Sequence, residues 1–154
     1  MLIITSAPIA NVEMLIRKPV SEVFEAFVNP EITSKFWFTK GSDRLQLGKK
    51  ISWDWEMFNH SLLVNVKELE ENKRIVIEWD NGAPSIVEWV FTSWSDNTTL
   101  VSVTNSGFKG NGDKMVKNAL DSTGGFALVL AGAKAFIEHN ISLNLISDRF
   151  PEIL

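Results

Sequence analysis

The stretch that decides the fold runs from Arg74 to Trp94 and reads RIVIEWDNGAPSIVEWVFTSW. Apolar and polar residues alternate on both sides of Asn81-Gly82-Ala83-Pro84, which is a typical turn sequence. Alternation with a period of two indicates a strand with one buried face, and two such strands joined by a short turn form an antiparallel hairpin. We therefore predict strands over residues 74–80 and 85–94.

The alternating pattern continues on both sides of this hairpin. It predicts further strands over residues 50–57, 61–69 and 98–105, with short turns between them. Consecutive strands with short connections predict an antiparallel meander. Residues 9–16 alternate in the same way and predict one more strand near the N-terminus.

Two short helices are predicted between the first strand and the meander. Ser21 is a favourable N-cap, and the apolar residues that follow it up to Val28 have helical spacing. Asn29-Pro30 ends this helix, because the residue before a proline disfavours helical backbone angles. A second short helix begins at Pro30, which suits a first turn, and its apolar side reaches Trp37.

A long helix is predicted after the meander. Asp113 is a candidate N-cap, and apolar residues at helical spacing continue to about His139. Ser122-Thr123-Gly124-Gly125 is a poor helix-forming sequence, so we expect a kink there or a helix that starts only at Gly125. The tail, residues 141–154, has scattered apolar residues and a proline and is expected to be irregular.

The strands of the meander divide their side chains between two faces. Large apolar side chains fall on one face, and four of the six tryptophans belong to it. These four are Trp53, Trp55, Trp79 and Trp89. The carboxylates inside these strands fall on the opposite face, where we expect water to solvate them. They are Asp54, Glu56, Glu78, Asp80 and Glu88.

The composition excludes several kinds of chemistry. The chain of 154 residues contains ten Phe besides its six Trp, but no Tyr, no Cys and only two His. The absence of Cys excludes disulfide frameworks and thiolate catalysis, and two His are too few for a three-histidine metal site. We therefore predict neither a metal nor a cofactor, and no catalytic residue is assigned.

Charge and hydropathy give no sign of a nucleic-acid-binding face or of a membrane span. The net charge of −4 provides no basic face for nucleic acid. No uninterrupted apolar run approaches the roughly 18 residues of a spanning helix, and the N-terminus lacks a signal-peptide pattern. We expect a single domain over residues 1–154, with its core at about 9–140, in the cytoplasm and with no membrane span.

Several segments resemble one known superfamily. They are IRKPVSEVFEAFVNPE at 16–31, FWF at 36–38, IVIEW at 75–79, TLVSVTNSGF at 99–108 and GFALVL at 125–130. The chain resembles the START-like helix-grip (SRPBCC) superfamily, and within it the domains related to the C-terminal domain of the activator of Hsp90 ATPase. Phe126 departs from the family pattern, which usually has Trp after the glycine. The matching residues are mostly packing positions, which specify a fold better than a function.

The resemblance implies an α+β helix-grip fold. In this fold, a strand and two short helices precede an antiparallel meander that curves around a long C-terminal helix. Members of the superfamily hold hydrophobic ligands such as lipids, sterols, polyketides and plant hormones between sheet and helix. Some members are cyclases or other enzymes, and the Hsp90 activators, which serve stress responses, act through protein contacts.

The leading hypothesis is the binding of a small hydrophobic or aromatic ligand in an apolar cavity between the sheet and the C-terminal helix. Thr99, Asn105 and His60 are the polar groups available to orient such a ligand. The predicted lining residues are Trp37, Trp53, Trp55, His60, Val64, Trp79, Trp89, Phe91, Val103, Asn105, Phe126 and Leu130.

Three alternatives remain open at this level. Whether a monomer or a homodimer, the chain is a protein-interaction module that regulates an Hsp90-like chaperone ATPase or another protein partner. Or it is a cyclase or hydrolase-type enzyme that uses the same cavity, for which His60 is the only titratable candidate on the apolar face. Or the tryptophans fill the core and leave no cavity.

Overall fold

A seven-stranded antiparallel sheet carries the helices in a computed structural model, which describes residues 1–151. The strands are β1 (Ala10–Ile16), β2 (Lys40–Gly41), β3 (Lys50–Trp55), β4 (His60–Glu70), β5 (Arg74–Asp80), β6 (Pro84–Ser95) and β7 (Thr98–Ser106). The helices are α1 (Val20–Val28), α2 (Pro30–Thr33), α3 (Gly112–His139) and α4 (Leu145–Arg149), and a single 3₁₀ turn spans Glu56–Phe58.

The sheet order is β1-β7-β6-β5-β4-β3-β2, and all neighbours are antiparallel. The predicted meander is therefore confirmed, and β1 joins it by pairing with β7, where Val12 lies opposite Val103. A bulge in β4 between Val66 and Glu68 turns Glu68 outward and Leu69 toward the core. The α+β helix-grip architecture is confirmed as a whole.

Both predicted N-caps are wrong. In α1 the N-cap is Pro19, whose carbonyl accepts hydrogen bonds from the N–H groups of Glu22 and Val23, so Ser21 lies inside the first turn. In α3 the N-cap is Asn111, because its side chain accepts the N–H of Lys114 at 2.9 Å. Residue type alone did not distinguish these positions from their neighbours.

The glycine pair in the middle of α3 does not interrupt the helix. The helix is continuous from Gly112 to His139, and Thr123 donates its hydroxyl hydrogen to the carbonyl of Ala119 at 2.7 Å. The expected kink or late start is therefore wrong. The tail is also more regular than expected, since residues Leu145–Arg149 form α4.

The carboxyl end of α3 is fixed to β1 by a charged pair. Lys134 donates through Nζ to the carbonyl of Leu15 at 2.9 Å and to the carboxylate of Glu138 at 2.5 Å. Glu138 in turn accepts the backbone N–H of Arg17 at 2.8 Å. This arrangement holds one half of the helix close to the edge of the sheet.

Within residues 1–151, α3 is the single helix long and apolar enough to cross a membrane. The expectation concerned an uninterrupted apolar run, and α3 has none, because charged residues such as Lys117 and Asp121 interrupt it. The helix packs along β1 and also contacts β7, α1 and α4.

Candidate functional site

A cleft of about 950 Å³ opens between α3 and the end of the sheet where β4 and β6 begin and β5 and β7 finish. Neighbouring strands of an antiparallel meander run in opposite directions, which is why two of these strands begin at this end and the other two finish there. The 3₁₀ turn, the loop after β7 and α4 complete the walls. The volume is in the range of cavities that hold ligands of drug size.

Buried aromatic rings form the inner wall of the cleft. Trp79 and Phe126 are stacked, with ring centroids 5.9 Å apart and an interplanar angle of 28°. The ring of Trp37 lies 6.0 Å from Trp79 and 5.7 Å from Phe126. Trp37 reaches this position because it follows α2, whose first turn is closed by the side chain of Asn29. These rings offer apolar contacts to any occupant.

A short polar network lies beside the rings at the bottom of the cleft. Ser85 begins the inward face of β6, and its Oγ accepts hydrogen bonds from Trp79 Nε1 at 3.1 Å and from Asn105 Nδ2 at 3.0 Å. Asn105 also donates to the carbonyl of Ile86 at 2.8 Å and accepts the hydroxyl hydrogen of Ser122 at 2.8 Å. The network therefore connects β5, β6, β7 and α3.

Two glycines of α3, Gly124 and Gly125, place no side chain in the cleft. A Cβ atom added to Gly124 or Gly125 would meet no atom within 4 Å, so the space in front of both residues is open. Gly125 lies on the same helix face as Ser122 and Val129, three residues before it and four after it. Larger residues at this position would project into the cleft.

The mouth of the cleft is formed by residues that are distant in sequence. Phe150 follows α4 and meets Phe58 of the 3₁₀ turn edge to face, with centroids 6.1 Å apart. His60 is exposed at the same rim, 5.8 Å from the ring of Trp55. The segment around α4 therefore partly covers the opening.

Basic side chains are in excess at the mouth. Lys109, Lys117 and Arg149 line it, whereas Asp121 is the only carboxylate among the lining residues that the structure describes. Asp121 is exposed and pairs with Lys117 at 2.8 Å. The local charge is thus positive in a chain whose net charge is −4.

The titratable groups with displaced pKa values lie elsewhere. A hydrogen bond from Arg44 lowers the pKa of Glu25, on α1. Burial raises the pKa of Glu138, but hydrogen bonds from Lys134 and from the N–H of Arg17 outweigh burial and lower it overall. Within residues 1–151, no three His, Asp or Glu side chains converge in the manner of a metal site.

Six of the predicted lining residues border the cleft, and these are Trp37, Trp55, His60, Trp79, Asn105 and Phe126. The other six do not, and these are Trp53, Val64, Trp89, Phe91, Val103 and Leu130. The sheet face on which they lie was assigned correctly, since all six are buried. Their place is the closed core beneath the cleft.

Helices and loops that cover the sheet explain why these six residues lie away from the cleft. Phe38 stacks on Trp53 with centroids 4.8 Å apart, and Phe24 lies 5.2 Å from Phe91. Phe27 approaches Trp89 to 6.4 Å. The hydroxyl of Thr99 is not available to orient a ligand, because it donates to the carbonyl of Lys18 at 2.8 Å. The open space therefore remains only toward one end of the sheet.

Several residues of the cleft were not predicted. Their sequence signals were the turn at 81–84, the small residues of α3, the strand parity of Leu62 and the apolar residues of the tail. The additional lining residues are Phe58, Leu62, Asn81, Ala83, Pro84, Ser85, Phe108, Lys109, Lys117, Asn118, Leu120, Asp121, Ser122, Gly124, Gly125, Leu128, Val129, Ile146, Arg149 and Phe150.

Comparisons with known proteins agree on the fold. The family model described as activator of Hsp90 ATPase homolog 1-like protein matches residues 17–130. No curated protein matches the chain. Among solved structures, the protein SSP2350 from Staphylococcus saprophyticus is similar with 29% identity and a TM-score of 0.77, covering 88% of this chain and 96% of that one.

Two more distant structures are similar in fold. The Aha1 dimer from Colwellia psychrerythraea has 18% identity and a TM-score of 0.71, with 86% of this chain and 97% of that one covered. CalU16 from Micromonospora echinospora has 15% identity and a TM-score of 0.68, with 92% of this chain and 88% of that one covered. At these identities the likeness concerns the fold alone.

Proposed function

The chain belongs to the activator of Hsp90 ATPase homolog 1-like family, and from that membership we propose that it binds a small hydrophobic or aromatic ligand in the cleft between the sheet and α3. The observation that carries the proposal is the cleft of about 950 Å³ itself, which places a wall of buried rings next to a few hydrogen-bonding groups. Ligand pockets typically combine these two features.

The two glycines of α3 support the same proposal. In the interior of a helix each glycine destabilises the fold by about 1 kcal/mol relative to alanine. No neighbouring atom restricts the size of the side chain at Gly124 or Gly125, so packing does not explain these residues. Keeping the cleft wide does explain them.

A titration of tryptophan fluorescence against a panel of lipids and aromatic compounds tests the proposal. We expect at least one class to change the emission of the wild type, because Trp37, Trp55 and Trp79 line the cleft. The variant Gly125→Leu fills the cleft and should weaken binding at least tenfold without loss of stability, since leucine is a good helix former. Ala127→Leu is the matched control, because Ala127 is exposed on α3 and outside the cleft.

The outcome of this titration separates the proposal from its alternatives. Binding that survives Gly125→Leu, or a wild type that responds to no compound of the panel, would overturn the proposed function. Equal weakening by Gly125→Leu and Ala127→Leu would also contradict it, because only the first side chain enters the cleft.

Catalysis has less support than binding. The enzyme alternative requires a titratable group inside the cleft, but His60 is exposed at its rim and Asp121 is exposed and paired with Lys117. A protein-interaction role also has less support, because exposed apolar residues on the outer sheet face, such as Leu63 and Val90, are separated by charged side chains. Since the Colwellia psychrerythraea relative is a dimer, light scattering is the direct test for a homodimer.

The proposal includes a location in the cytoplasm. It is supported by the contacts of α3, the one helix of residues 1–151 with the length and hydropathy of a membrane span, which packs along β1. Fractionation of cells that produce the tagged full chain tests this part. Recovery in the membrane fraction would contradict it.

A further inference from the structure

The hydroxyl group of Ser85 has an unusual position in the cleft. Its oxygen accepts two hydrogen bonds, from Trp79 Nε1 at 3.1 Å and from Asn105 Nδ2 at 3.0 Å. A hydroxyl oxygen has two acceptor positions and one hydrogen to donate. Both acceptor positions of Ser85 are therefore occupied by the protein.

The direction of both hydrogen bonds is unambiguous. An indole Nε1 can only donate, so Trp79 is the donor to Ser85. The amide of Asn105 also faces the backbone carbonyl of Ile86 at 2.8 Å, and a carbonyl can only accept. The nitrogen of the Asn105 side chain must therefore point toward both Ile86 and Ser85, and its oxygen accepts from Ser122.

The remaining hydrogen of Ser85 has no acceptor among residues 1–151. Ser85 is 8% exposed and lines the cleft, so this hydrogen is available to an occupant of that space. Two donors on the same oxygen polarise the O–H group and strengthen it as a donor. Leaving such a group without a partner when a ligand excludes water is unfavourable, because the donor loses its hydrogen bond to water and gains none.

We propose that the ligand carries a neutral carbonyl-type oxygen on an apolar or aromatic body, and that this oxygen accepts the hydrogen bond of Ser85 at the bottom of the cleft. This inference rests on the proposed function and narrows it to a ligand class: aromatic or polycyclic ketones, esters, lactones or amides. Ser85 is the specificity-determining residue, and Asn105 and Trp79 hold it in position.

A neutral oxygen fits this position better than a carboxylate. The cations of the cleft, Lys109, Lys117 and Arg149, are all exposed at its mouth, and the groups that contact Ser85 are uncharged. An unpaired carboxylate in a buried site loses far more solvation energy than a carbonyl group does. An anionic ligand would therefore orient its charge toward the mouth rather than toward Ser85.

Three naphthalene probes test this inference by isothermal titration calorimetry. The first, 2-acetylnaphthalene, has a ketone oxygen, and 2-isopropenylnaphthalene has the same shape with a methylene group in its place. The third, 2-naphthoate, carries a carboxylate. In the wild type we expect the ketone to bind about tenfold more tightly than the isopropenyl compound, which is the usual size of one neutral hydrogen bond.

Variants of Ser85 separate the hydrogen bond from the packing. Ser85→Ala should weaken binding of the ketone about tenfold and change binding of the isopropenyl probe less than twofold, whereas Ser85→Thr, which keeps a hydroxyl, should restore ketone binding. The infrared C=O band of bound 2-acetylnaphthalene should lie at a lower frequency in the wild type than in Ser85→Ala. Binding of the isopropenyl probe also reports that the alanine variant keeps its cleft.

The possible failures are distinguishable. If neither neutral probe binds the wild type, this inference is overturned, and the proposed function is overturned as well only if the wild type also responds to no compound of the fluorescence panel. If both bind but Ser85→Ala weakens them equally, or leaves the C=O band unchanged, only the inference fails. Binding of 2-naphthoate that Ser85→Ala weakens tenfold would place a carboxylate at Ser85, which would overturn the neutral acceptor and leave the binding function standing.

Discussion

At the scale of single residues, the glycines of α3 have two different roles: one allows close packing of the helix, and the other leaves space for the cleft. Gly124 has no neighbouring atom within 4 Å of an added Cβ, whereas at Gly132 that atom would lie 3.3 Å from both Cβ and the carbonyl oxygen of Phe36. Gly132 thus allows α3 to approach the segment after α2. Gly124 serves no such contact and keeps the cleft wide.

This difference predicts opposite effects of the same substitution. Gly124→Ala should raise the free energy of unfolding by about 1 kcal/mol, because alanine is the better helix former. Gly132→Ala gains the same propensity but compresses Phe36, so it should be less stable than Gly124→Ala by about 1 kcal/mol or more. Urea denaturation of the two variants measures this, and equal stabilisation by both would contradict the account.

Strand parity assigns a face, so it could identify four of the predicted residues that border the cleft, and these are Trp55, His60, Trp79 and Asn105. Parity correctly assigned Trp53, Trp89 and Phe91 to the inner face, yet it cannot tell which part of that face another element covers. That depends on Phe27 and Phe38, which reach these residues from α1 and from the loop after α2. Contacts between distant segments leave no periodic signal in the sequence.

At the scale of elements, α3 depends on a buried carboxylate for its attachment to β1. The side chain of Glu138 is only 8% exposed and accepts from Lys134 and from the N–H of Arg17. Its pKa is lowered in the folded state, so its stabilising contribution is present above the unfolded value near 4.5 and is lost as the pH falls through the folded value.

Glu138→Gln should therefore destabilise the protein at neutral pH by about 1 kcal/mol, since a charge-assisted hydrogen bond is replaced by a neutral one. The difference from the wild type should shrink as the pH falls below about 4.5. Chemical denaturation at several pH values measures both effects, with Glu13→Gln on the exposed face of β1 as control. A difference independent of pH would contradict this role.

The short helix α4 was not predicted, because five residues carry too little helical periodicity to be recognised. Ile146 and Arg149 of this helix line one side of the cleft. The next residue, Phe150, meets Phe58 across the mouth. We expect this pair to slow the exit of a bound ligand.

Phe150→Ala should raise the dissociation rate of a bound probe several-fold and leave the melting temperature nearly unchanged, because Phe150 is 61% exposed. Stopped-flow dissociation of 2-acetylnaphthalene measures the rate. Leu143→Ala is the control, since Leu143 is an exposed apolar residue of the same tail that does not line the cleft. The same rate in both variants would contradict a gating role.

At the scale of the whole molecule, the order of the main strands and helices followed from the sequence, but the two-residue strand β2, the short helix α4 and the position of the cleft did not. Alternation and turn residues are local signals, and they are strong in residues 50–105. The inner sheet face is covered at one end by Phe24 and Phe27 of α1 and by Phe38 after α2, so the space between sheet and α3 stays open at the other end. The mouth is formed partly by the tail, which is distant in sequence from the 3₁₀ turn that it meets there.

The six tryptophans provide the most direct measurement of the central claim, that the cleft at this end of the sheet is a ligand site. Each gives one indole N–H signal in a ¹H–¹⁵N NMR spectrum. On addition of 2-acetylnaphthalene, the account predicts the largest shifts for Trp37, Trp55 and Trp79, and none for Trp94, which is 64% exposed and outside the cleft. Shifts confined to Trp94, or no shift at Trp37 and Trp79 with a bound ligand, would contradict it.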